Sequence, residues 1–236
     1  MELYAIRFGE NFAFAKYENI YRGMGKFGKV TEFIFSYYLA KCNGKIILID
    51  TGFRDEATAN KMGITLIDVE NEIKNIIGDI DCIDTIFITH SHFDHIDNLD
   101  LYKKSSVIIS KLEYDIALNK SPNSVKTRLE ANNIIKVNDE YIFDNLFRFK
   151  VIGGHTGGSS VIYFEEGQKR YVITSDECYM CDNIYKNIPN GNCVSSQKNE
   201  NFITDAYNKG LIPLPFHDAK IFEQYEQISK NIVRIV

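Results

Sequence analysis

The order of predicted strands and helices indicates an α/β fold in which two sheets pack face to face with helices outside. Apolar, β-branched stretches alternate with amphipathic ones in two blocks along the chain, as expected for a layered α/β protein. In each block, turns that contain histidine or aspartate follow a predicted strand. No linker, repeat or low-complexity tract divides the 236 residues, and a chain of this length can bury one large core. We therefore expect one domain over residues 1–236.

The first block ends at a strand that precedes a cluster of histidines. Its expected elements are strands at 3–8, 12–17, 31–41 and 45–49, a helix at 68–77 and a strand at 85–89. Gly9-Glu10-Asn11 predicts a turn between the first two strands, and Asn43-Gly44 predicts a hairpin between the next two. Asp68 can cap the helix, whose apolar residues share one face. The glycine-rich stretch 21–28 lacks phosphate-loop spacing and is interpreted as a loop overhanging a pocket.

The second block repeats the alternation of strands and helices. Its expected elements are a strand at 107–109, helices from Ser110 and from Pro122 to about 131, strands near 134–137, 146–152, 160–164 and 170–174, a helix near 201–209, a strand at 211–214, a helix near 218–229 and a strand at 231–236. Ser110 is followed three residues later by Glu113, which is a capping-box pattern. Residues 182–200 are rich in Asn, Gly and Ser and predict a loop with one helical turn.

Charge and hydropathy exclude several classes of protein. The chain has 27 basic and 32 acidic residues, for a net charge of −5, whereas nucleic-acid binding requires a basic surface. No apolar run approaches membrane-spanning length. The first residues lack a basic segment followed by an apolar one, so we expect no signal peptide. The expected partners are therefore small molecules, with no nucleic acid and no membrane.

The cysteines indicate a reducing compartment. There are five, and an odd, scattered set without a signal peptide predicts free thiols in the cytoplasm. Cys178 and Cys181 form a C-x-x-C pair close to Asp176. Redox chemistry and an additional metal are possible roles, but one pair does not complete a structural zinc site. We interpret them as two thiols in the loop that follows Asp176.

Three of the five histidines lie within six residues, directly after a predicted buried strand. The stretch 90–95 reads H-x-H-x-D-H, with His90, His92, Asp94 and His95. Imidazoles and a carboxylate this close would crowd one another without a shared partner, and they are good ligands for zinc, iron or manganese. The alternative is a polar turn with surface histidines. The metal interpretation is favoured because the other two histidines fit it as well.

His155 and His217 each follow an apolar segment in a turn-like setting, and Asp176 lies between them after the strand-like 170–173. One site would then use every histidine of the chain together with two aspartates. Seven ligands are too many for one four-coordinate zinc. They suit two metals that share a carboxylate and a water.

With these residues in place, the chain resembles the metallo-β-lactamase superfamily. Besides the H-x-H-x-D-H motif, it has a strand ending in Asp50-Thr51-Gly52, followed by the lone histidine, the aspartate and the last histidine in the family's order. His155 lies 60 residues after His95, as in the N-acyl-homoserine lactonases, which the chain resembles most within the superfamily. Two departures are Gly157, where the family usually has proline, and Ser175, where glycine is common. The resemblance implies an αββα sandwich of two mixed sheets with helices outside.

The resemblance also implies the ligand sets and the chemistry. His90, His92 and His155 would hold one divalent metal, Asp94, His95 and His217 a second, and Asp176 would bridge them. A hydroxide shared by the metals would be the nucleophile, because two nearby ions acidify a water to a pKa near 7. Zinc is the expected metal, with iron, manganese or cobalt as alternatives.

The catalytic candidates are Asp94, Asp176 and Tyr179. Tyr179 matches the position of an active-site tyrosine in the lactonases and would stabilise the oxyanion; the alternative is a packed aromatic residue. Asp176 would move a proton to the leaving group. Asp50 is either a turn residue or the acceptor of a hydrogen bond from a metal-binding histidine. We also expect an apolar acyl pocket lined partly by the loop at Met24 and Phe27 and by the strand at Phe33 and Phe35. The alternative is ordinary core packing, which is favoured for the strand.

The resemblance favours a metal-dependent hydrolase that opens a lactone or similar ester, with the quorum-quenching lactonases as the nearest group. A thioesterase like glyoxalase II is the nearest alternative, but only 19 residues follow His217, too few for that family's helical substrate domain. The acidic balance disfavours a phosphodiesterase. A flavodiiron-like redox module would have Glu at the position of His92 and an attached flavin domain.

Overall fold

The computed structural model describes residues 1–11, 16–24 and 32–236, which form two sheets and the helices around them. The strands are β1 (Glu2–Asn11), β2 (Phe33–Cys42), β3 (Lys45–Ile49), β4 (Thr65–Leu66), β5 (Thr85–Ile88), β6 (Ser106–Ser110), β7 (Ile134–Val137), β8 (Glu140–Phe143), β9 (Phe147–Val151), β10 (Ser160–Glu166), β11 (Lys169–Ile173), β12 (Ile212–Leu214), β13 (Glu226–Ser229) and β14 (Ile232–Arg234). The helices are α1 (Tyr17–Ile20), α2 (Glu56–Met62), α3 (Glu70–Ile77), α4 (Phe93–Ile96), α5 (Lys111–Lys120), α6 (Asn123–Leu129), α7 (Cys181–Tyr185), α8 (Ser196–Asn208) and α9 (Lys220–Gln224). Within these residues no helix is long and apolar enough to cross a membrane.

The larger sheet has the order β13-β14-β1-β2-β3-β5-β6-β7, with β4 paired to β1. Strands β3, β5, β6 and β7 are parallel to one another, whereas β1 pairs antiparallel with both β2 and β14. Nearly every residue of β2 and all of β5 are buried. Burial of successive residues means that both faces of this sheet are covered, as expected for the middle layer of a sandwich.

The smaller sheet has the order β12-β11-β10-β9-β8. Its one parallel pair is β11 with β12, and the other pairs are antiparallel. In β9, Phe147 and Phe149 are buried while Arg148 is exposed, which is the alternation of a sheet with one face on the core. The Phe87 ring of β5 stacks on Phe149 with centroids 5.9 Å apart. This contact joins the two sheets face to face, and the predicted sandwich of two mixed sheets with outer helices is confirmed.

The predicted turn at 9–11 is wrong. Strand β1 continues through these residues and pairs with β2, with a register shift between Arg7 and Gly9. A Cβ at Gly9 would lie 3.3 Å from Ile64 Cγ2 and 3.4 Å from Phe35 Cβ. Gly9 therefore marks a bulge with close packing rather than a turn. Residues 12–15 lie outside the described residues, and Tyr17 begins helix α1 rather than continuing a strand.

Two further predictions near the carboxyl end need correction. The predicted helix at 218–229 is limited to α9, and the residues after it form β13, which pairs antiparallel with β14. Helix α8 begins at Ser196, five residues before the predicted start, because the Ser195 hydroxyl caps it. Helix α2 and the short strands β4 and β8 were not predicted. The Asn43-Gly44 hairpin and the strands that lead into the histidine-containing turns lie close to the predicted positions.

Candidate metal centre

Five polar segments meet at one edge of the sandwich, each directly after a strand. They follow β3, β5, β9, β11 and β12. Because β3 and β5 are parallel, as are β11 and β12, their carboxyl ends lie on the same side, where ligand sites of α/β folds form. All seven predicted metal ligands are on these segments, and Asp50 follows β3.

Four of the predicted ligands form what we call the first group, consisting of His90, His92, His155 and one oxygen of Asp176. His92 Nδ1 is 3.0 Å from His90 Nε2 and 3.1 Å from His155 Nε2. Asp176 Oδ2 is 3.3 Å from His155 Nε2 and 3.7 Å from His90 Nε2. The donor atoms thus surround one point.

The second group consists of Asp94, His95 and His217. His95 Nε2 and His217 Nε2 lie 3.6 and 3.8 Å from Asp94 Oδ2. The other oxygen of Asp176, Oδ1, is 3.2 Å from His95 Nε2 and 3.1 Å from His217 Nε2. Asp176 therefore faces the first group with one oxygen and the second group with the other.

The hydrogen bonds of His155 and His217 leave one nitrogen lone pair on each ring, directed at the centre of its group. His155 Nδ1 donates to the carbonyl of Asn192 at 2.8 Å, and His217 Nδ1 donates to the carbonyl of Ile34 at 2.8 Å. Because a carbonyl only accepts, the Nε2 atom of each neutral ring has a lone pair. His95 Nε2 is buried and has no hydrogen-bond partner among the described residues. Converging lone pairs and carboxylate oxygens repel one another, and a divalent cation at each group would remove that repulsion.

The surroundings set the protonation states of the predicted ligands. Burial lowers the pKa of His90 well below its usual value, and partial desolvation, followed by the neighbouring His155, lowers the pKa of the more exposed His92. Burial would raise the pKa of Asp176, but four histidines, His95 first, hold it well below the usual value. Burial disfavours charge on His95, yet the carboxylates around it, Asp176 first, raise its pKa well above the usual value. Without metal, His95 therefore carries a proton that an ion at the second group would displace, whereas His90 and His92 are neutral and Asp176 is anionic, as zinc ligands must be.

Asp50 forms a hydrogen bond with His95 of the second group. Its carboxylate accepts from His95 Nδ1 at 2.7 Å, from the Thr89 amide at 2.7 Å and from the Thr89 hydroxyl at 2.6 Å. Burial raises the pKa of Asp50, against the opposing effect of His95. The prediction that Asp50 accepts a hydrogen bond from a histidine of the motif is confirmed, and such a bond fixes the tautomer and orientation of the ring.

The position of Ser175 explains one departure from the lactonase pattern. Its φ is 50°, in the left-handed region where glycine is favoured. The Ser175 hydroxyl lies 2.6 Å from the Thr89 hydroxyl and 3.2 Å from His90 Nδ1. The serine thus occupies a glycine conformation and contributes a hydrogen bond to a predicted ligand.

Tyr179 lies against both groups. Its ring centroid is 5.8 Å from that of His155 and 5.4 Å from that of His217. The hydroxyl accepts a hydrogen bond from Asn192 Nδ2 at 2.9 Å. Burial, followed by Asp176, raises the pKa of Tyr179 well above the usual value. The hydroxyl is therefore protonated at neutral pH, and its own hydrogen can be donated towards the site.

Two of the residues expected to line an acyl pocket, Phe33 and Phe35, pack against His217 instead. Phe33 stacks on the His217 ring with centroids 4.3 Å apart, and Phe35 meets the same ring edge-on at 5.3 Å. Both are buried, so they cover the second group rather than an open pocket. Met24 is 51% exposed, and Phe27 lies outside the described residues.

Some residues that support the site were not recognised in the sequence. Glu177 accepts hydrogen bonds from the Gly154 and His155 amides, at 2.9 and 3.0 Å, and Asn192 contacts both His155 and Tyr179. Their only signal was adjacency to Asp176 and a loop rich in asparagine. Cys178 and Cys181 are buried, and neither belongs to a candidate metal group in the described part of the chain.

The chain is similar to several solved structures, whereas no curated protein sequence matches it. An N-acyl homoserine lactone hydrolase with N-hexanoyl-L-homoserine at its catalytic metal centre is similar at 19% identity, with a TM-score of 0.76 over 98% of each chain. AiiA of B. thuringiensis with N-decanoyl-L-homoserine at its active site is 18% identical, with a TM-score of 0.77 over 98% of each chain. AidC, a dizinc quorum-quenching lactonase, is 16% identical, with a TM-score of 0.69 over 99% of this chain and 93% of AidC.

At these identities the structural likeness shows a shared fold. A protein-family model adds independent evidence from the sequence, since it matches residues 31–218. That segment contains every residue of the two candidate metal groups. The chain therefore belongs to the metallo-beta-lactamase superfamily.

Proposed function

We propose that this protein is a dinuclear metal-dependent hydrolase that opens a lactone or a similar ester. The observation that carries the proposal is the position of Asp176, whose two oxygens each face a separate group of histidine and aspartate donors. One carboxylate shared between two such groups is the arrangement of a dinuclear hydrolytic site. The seven predicted ligands would hold the two metal ions, with zinc as the expected metal.

When bound, two such ions would supply an activated hydroxide as nucleophile and a Lewis acid for the scissile carbonyl. The chain's own residues then orient the substrate and move protons. Asp94, His95 and His217 hold one side of the site, and the buried rings of Phe33 and Phe35 exclude water from behind His217.

Tyr179 is proposed to donate a hydrogen bond to the oxyanion. Its hydroxyl already accepts from Asn192, so the phenolic hydrogen is the one available to a substrate oxygen. Ring opening also requires a proton on the leaving alkoxide. Asp176 is proposed to accept the proton that the attacking hydroxide gives up and to pass it to this alkoxide, because the carboxylate lies between the two groups and faces both.

The substrate class is proposed from the relatives. Structures of similar fold are of N-acyl homoserine lactone hydrolases with their hydrolysis products bound. A small lactone or ester is therefore the proposed substrate, and quorum quenching would be the biological outcome of such an activity.

We also propose that residues 1–236 form one domain, because one core cluster includes residues of both sheets. A cytoplasmic location is proposed because all five cysteines are free.

The test is a substrate panel on zinc-loaded protein. N-acyl homoserine lactones, a glutathione thioester and a phosphodiester are offered to the wild-type chain and to Asp176→Asn, which keeps the shape of the side chain but loses its charge. We expect lactone opening by the wild type and a large loss in the variant. Rapid thioester or phosphodiester cleavage with no lactone opening would contradict the proposed substrate class.

A further inference from the structure

Glu113 is a fully buried carboxylate that the proposed reaction does not use. It is the first-turn residue of α5 and has 0% exposure. Its Oε2 accepts from the Ser91 amide at 2.9 Å and from the Ser91 hydroxyl at 2.6 Å. Its Oε1 accepts from the Thr156 hydroxyl at 2.7 Å and from the Gly158 amide at 2.9 Å. Four donors meet one carboxylate, which matches its full acceptor capacity.

This arrangement differs from the capping box that the sequence predicted. The Ser110 hydroxyl does accept from the Glu113 amide, at 3.2 Å. The Glu113 side chain, however, turns away from the helix end towards two loops of the metal centre. Gly158 permits this approach, because a Cβ there would meet the Ser110 hydroxyl and would lie 3.0 Å from the Glu113 amide nitrogen.

Three of the four donors belong to residues adjacent in sequence to histidines of the first group, and the fourth is the Gly158 amide in the loop of His155. Ser91 is between His90 and His92, and Thr156 follows His155. One carboxylate therefore connects the loop after β5 to the loop after β9, and these two loops together provide all three histidines of the first group. The second group has other supports, since Asp50 holds His95 and the Ile34 carbonyl holds His217.

We propose that Glu113 is a positioning residue for the first group, which sets the spacing of its three histidines by holding both of their loops. The inference rests on the proposed dinuclear function. Outer hydrogen-bond partners of metal ligands typically contribute about 10- to 100-fold to metal affinity. Because Glu113 acts through neighbouring residues rather than on the rings, we expect an effect of about tenfold, the lower end of that range.

The test measures Zn²⁺ affinity of metal-free protein by chelator competition, in backgrounds that retain one group each. His217→Ala leaves the first group intact, and His155→Ala leaves the second. Glu113→Gln keeps the side-chain shape, but its amide nitrogen cannot accept, so two of the four hydrogen bonds are lost. We expect about tenfold weaker zinc binding in the His217→Ala background and less than a twofold change in the His155→Ala background.

A matched control is Glu72→Gln. Glu72 also accepts several hydrogen bonds, from Ser229 and from the amide and side chain of Asn231, but it lies outside both metal groups. We expect this variant to change thermal stability without changing zinc affinity in either background. The comparison separates a positioning role from general destabilisation.

A milder variant covers the case in which Glu113→Gln does not fold. Ser91→Ala removes one hydrogen bond while the carboxylate remains, and should weaken zinc binding about threefold in the His217→Ala background. Equal weakening in both backgrounds, or none in the first from a folded variant, would overturn the proposal. A wild-type chain that binds no zinc would contradict the dinuclear function as well, whereas zinc binding without lactone opening would contradict only the proposed substrate.

Discussion

Replacing Tyr179 by phenylalanine removes one hydroxyl from the proposed site and leaves the ring in place. The ring is buried against Phe33, His155 and His217, and those contacts do not involve the hydroxyl. Among the residues that the structure describes, the hydroxyl has one hydrogen-bond partner, Asn192 Nδ2 at 2.9 Å. We therefore expect Tyr179→Phe to fold normally and to keep both metals.

The expected loss of activity follows from how the oxyanion charge is shared. Removal of a sole oxyanion donor costs roughly 10²–10³ in kcat. A metal ion that shares this charge should reduce the loss to about tenfold, equivalent to about 1.4 kcal/mol in the barrier. The loss should appear in kcat rather than KM, because the hydrogen bond strengthens only as charge develops.

A second variant, at Asn192, tests how the Tyr179 hydroxyl is oriented. Asn192→Ala removes the amide that orients the Tyr179 hydroxyl but keeps the backbone carbonyl that accepts from His155. We expect a loss of about threefold in the wild type, near the lower end of the range for one hydrogen bond. In the Tyr179→Phe background the same change should have no effect, since the two side chains act as one unit.

The assay is steady-state lactone hydrolysis with metal content measured on each variant. Exposed Asn201, on α8, provides an Asn201→Ala control that should leave kcat unchanged. Wild-type rates in Tyr179→Phe would refute its role in the reaction. Additive losses for the two changes at Tyr179 and Asn192 would refute the orientation of the hydroxyl by the amide.

Three further predictions follow from the same geometry. His217→Ala should reduce metal content from two ions to one, measured by elemental analysis; a wild-type content of one that this change does not alter would disprove the dinuclear assignment. Asp176→Ala should lower kcat more than any single histidine change, because both groups lose a ligand and the reaction loses a proton donor, and near-normal turnover with both metals bound would show that another residue bridges. In native protein at pH 8, a thiol reagent should react rapidly with exposed Cys82 but not with Cys178, since burial raises the pKa of Cys178 and its thiolate forms only at higher pH; rapid labelling of Cys178 would contradict its burial.

The metal-binding motif could be recognised from the sequence because its geometry is local. His90, His92, Asp94 and His95 are at most five residues apart, and they follow a short β-branched strand whose burial is apparent from composition. In such a segment the end of the strand directs the next residues to the edge of the sheet, whatever the rest of the chain does. His155, Asp176 and His217 are also at strand ends, and the resemblance to known hydrolases groups them with the motif.

Local patterns were misleading where tertiary packing decided the structure. Gly9 looked like a turn residue, but the contact with Ile64 and Phe35 makes it a bulge within a strand. Residues 226–229 had a helical pattern and became β13, because β14 lies beside them and completes their backbone hydrogen bonds. Propensity is a weak preference that long-range pairing overrides.

The supports of the site were decided only by the folded chain. In sequence, Glu113 is indistinguishable from a helix-capping residue, since the capping-box pattern depends only on a spacing of three residues between the serine and the glutamate. Its actual partners, Ser91 and Gly158, are 22 and 45 residues away, and Asn192 reaches Tyr179 across 13 residues. Sequence spacing determines which residues can be ligands, whereas hydrogen bonds between distant loops determine how those ligands are held. Such bonds exist only after the sheets have packed and water has been excluded from the polar groups between them.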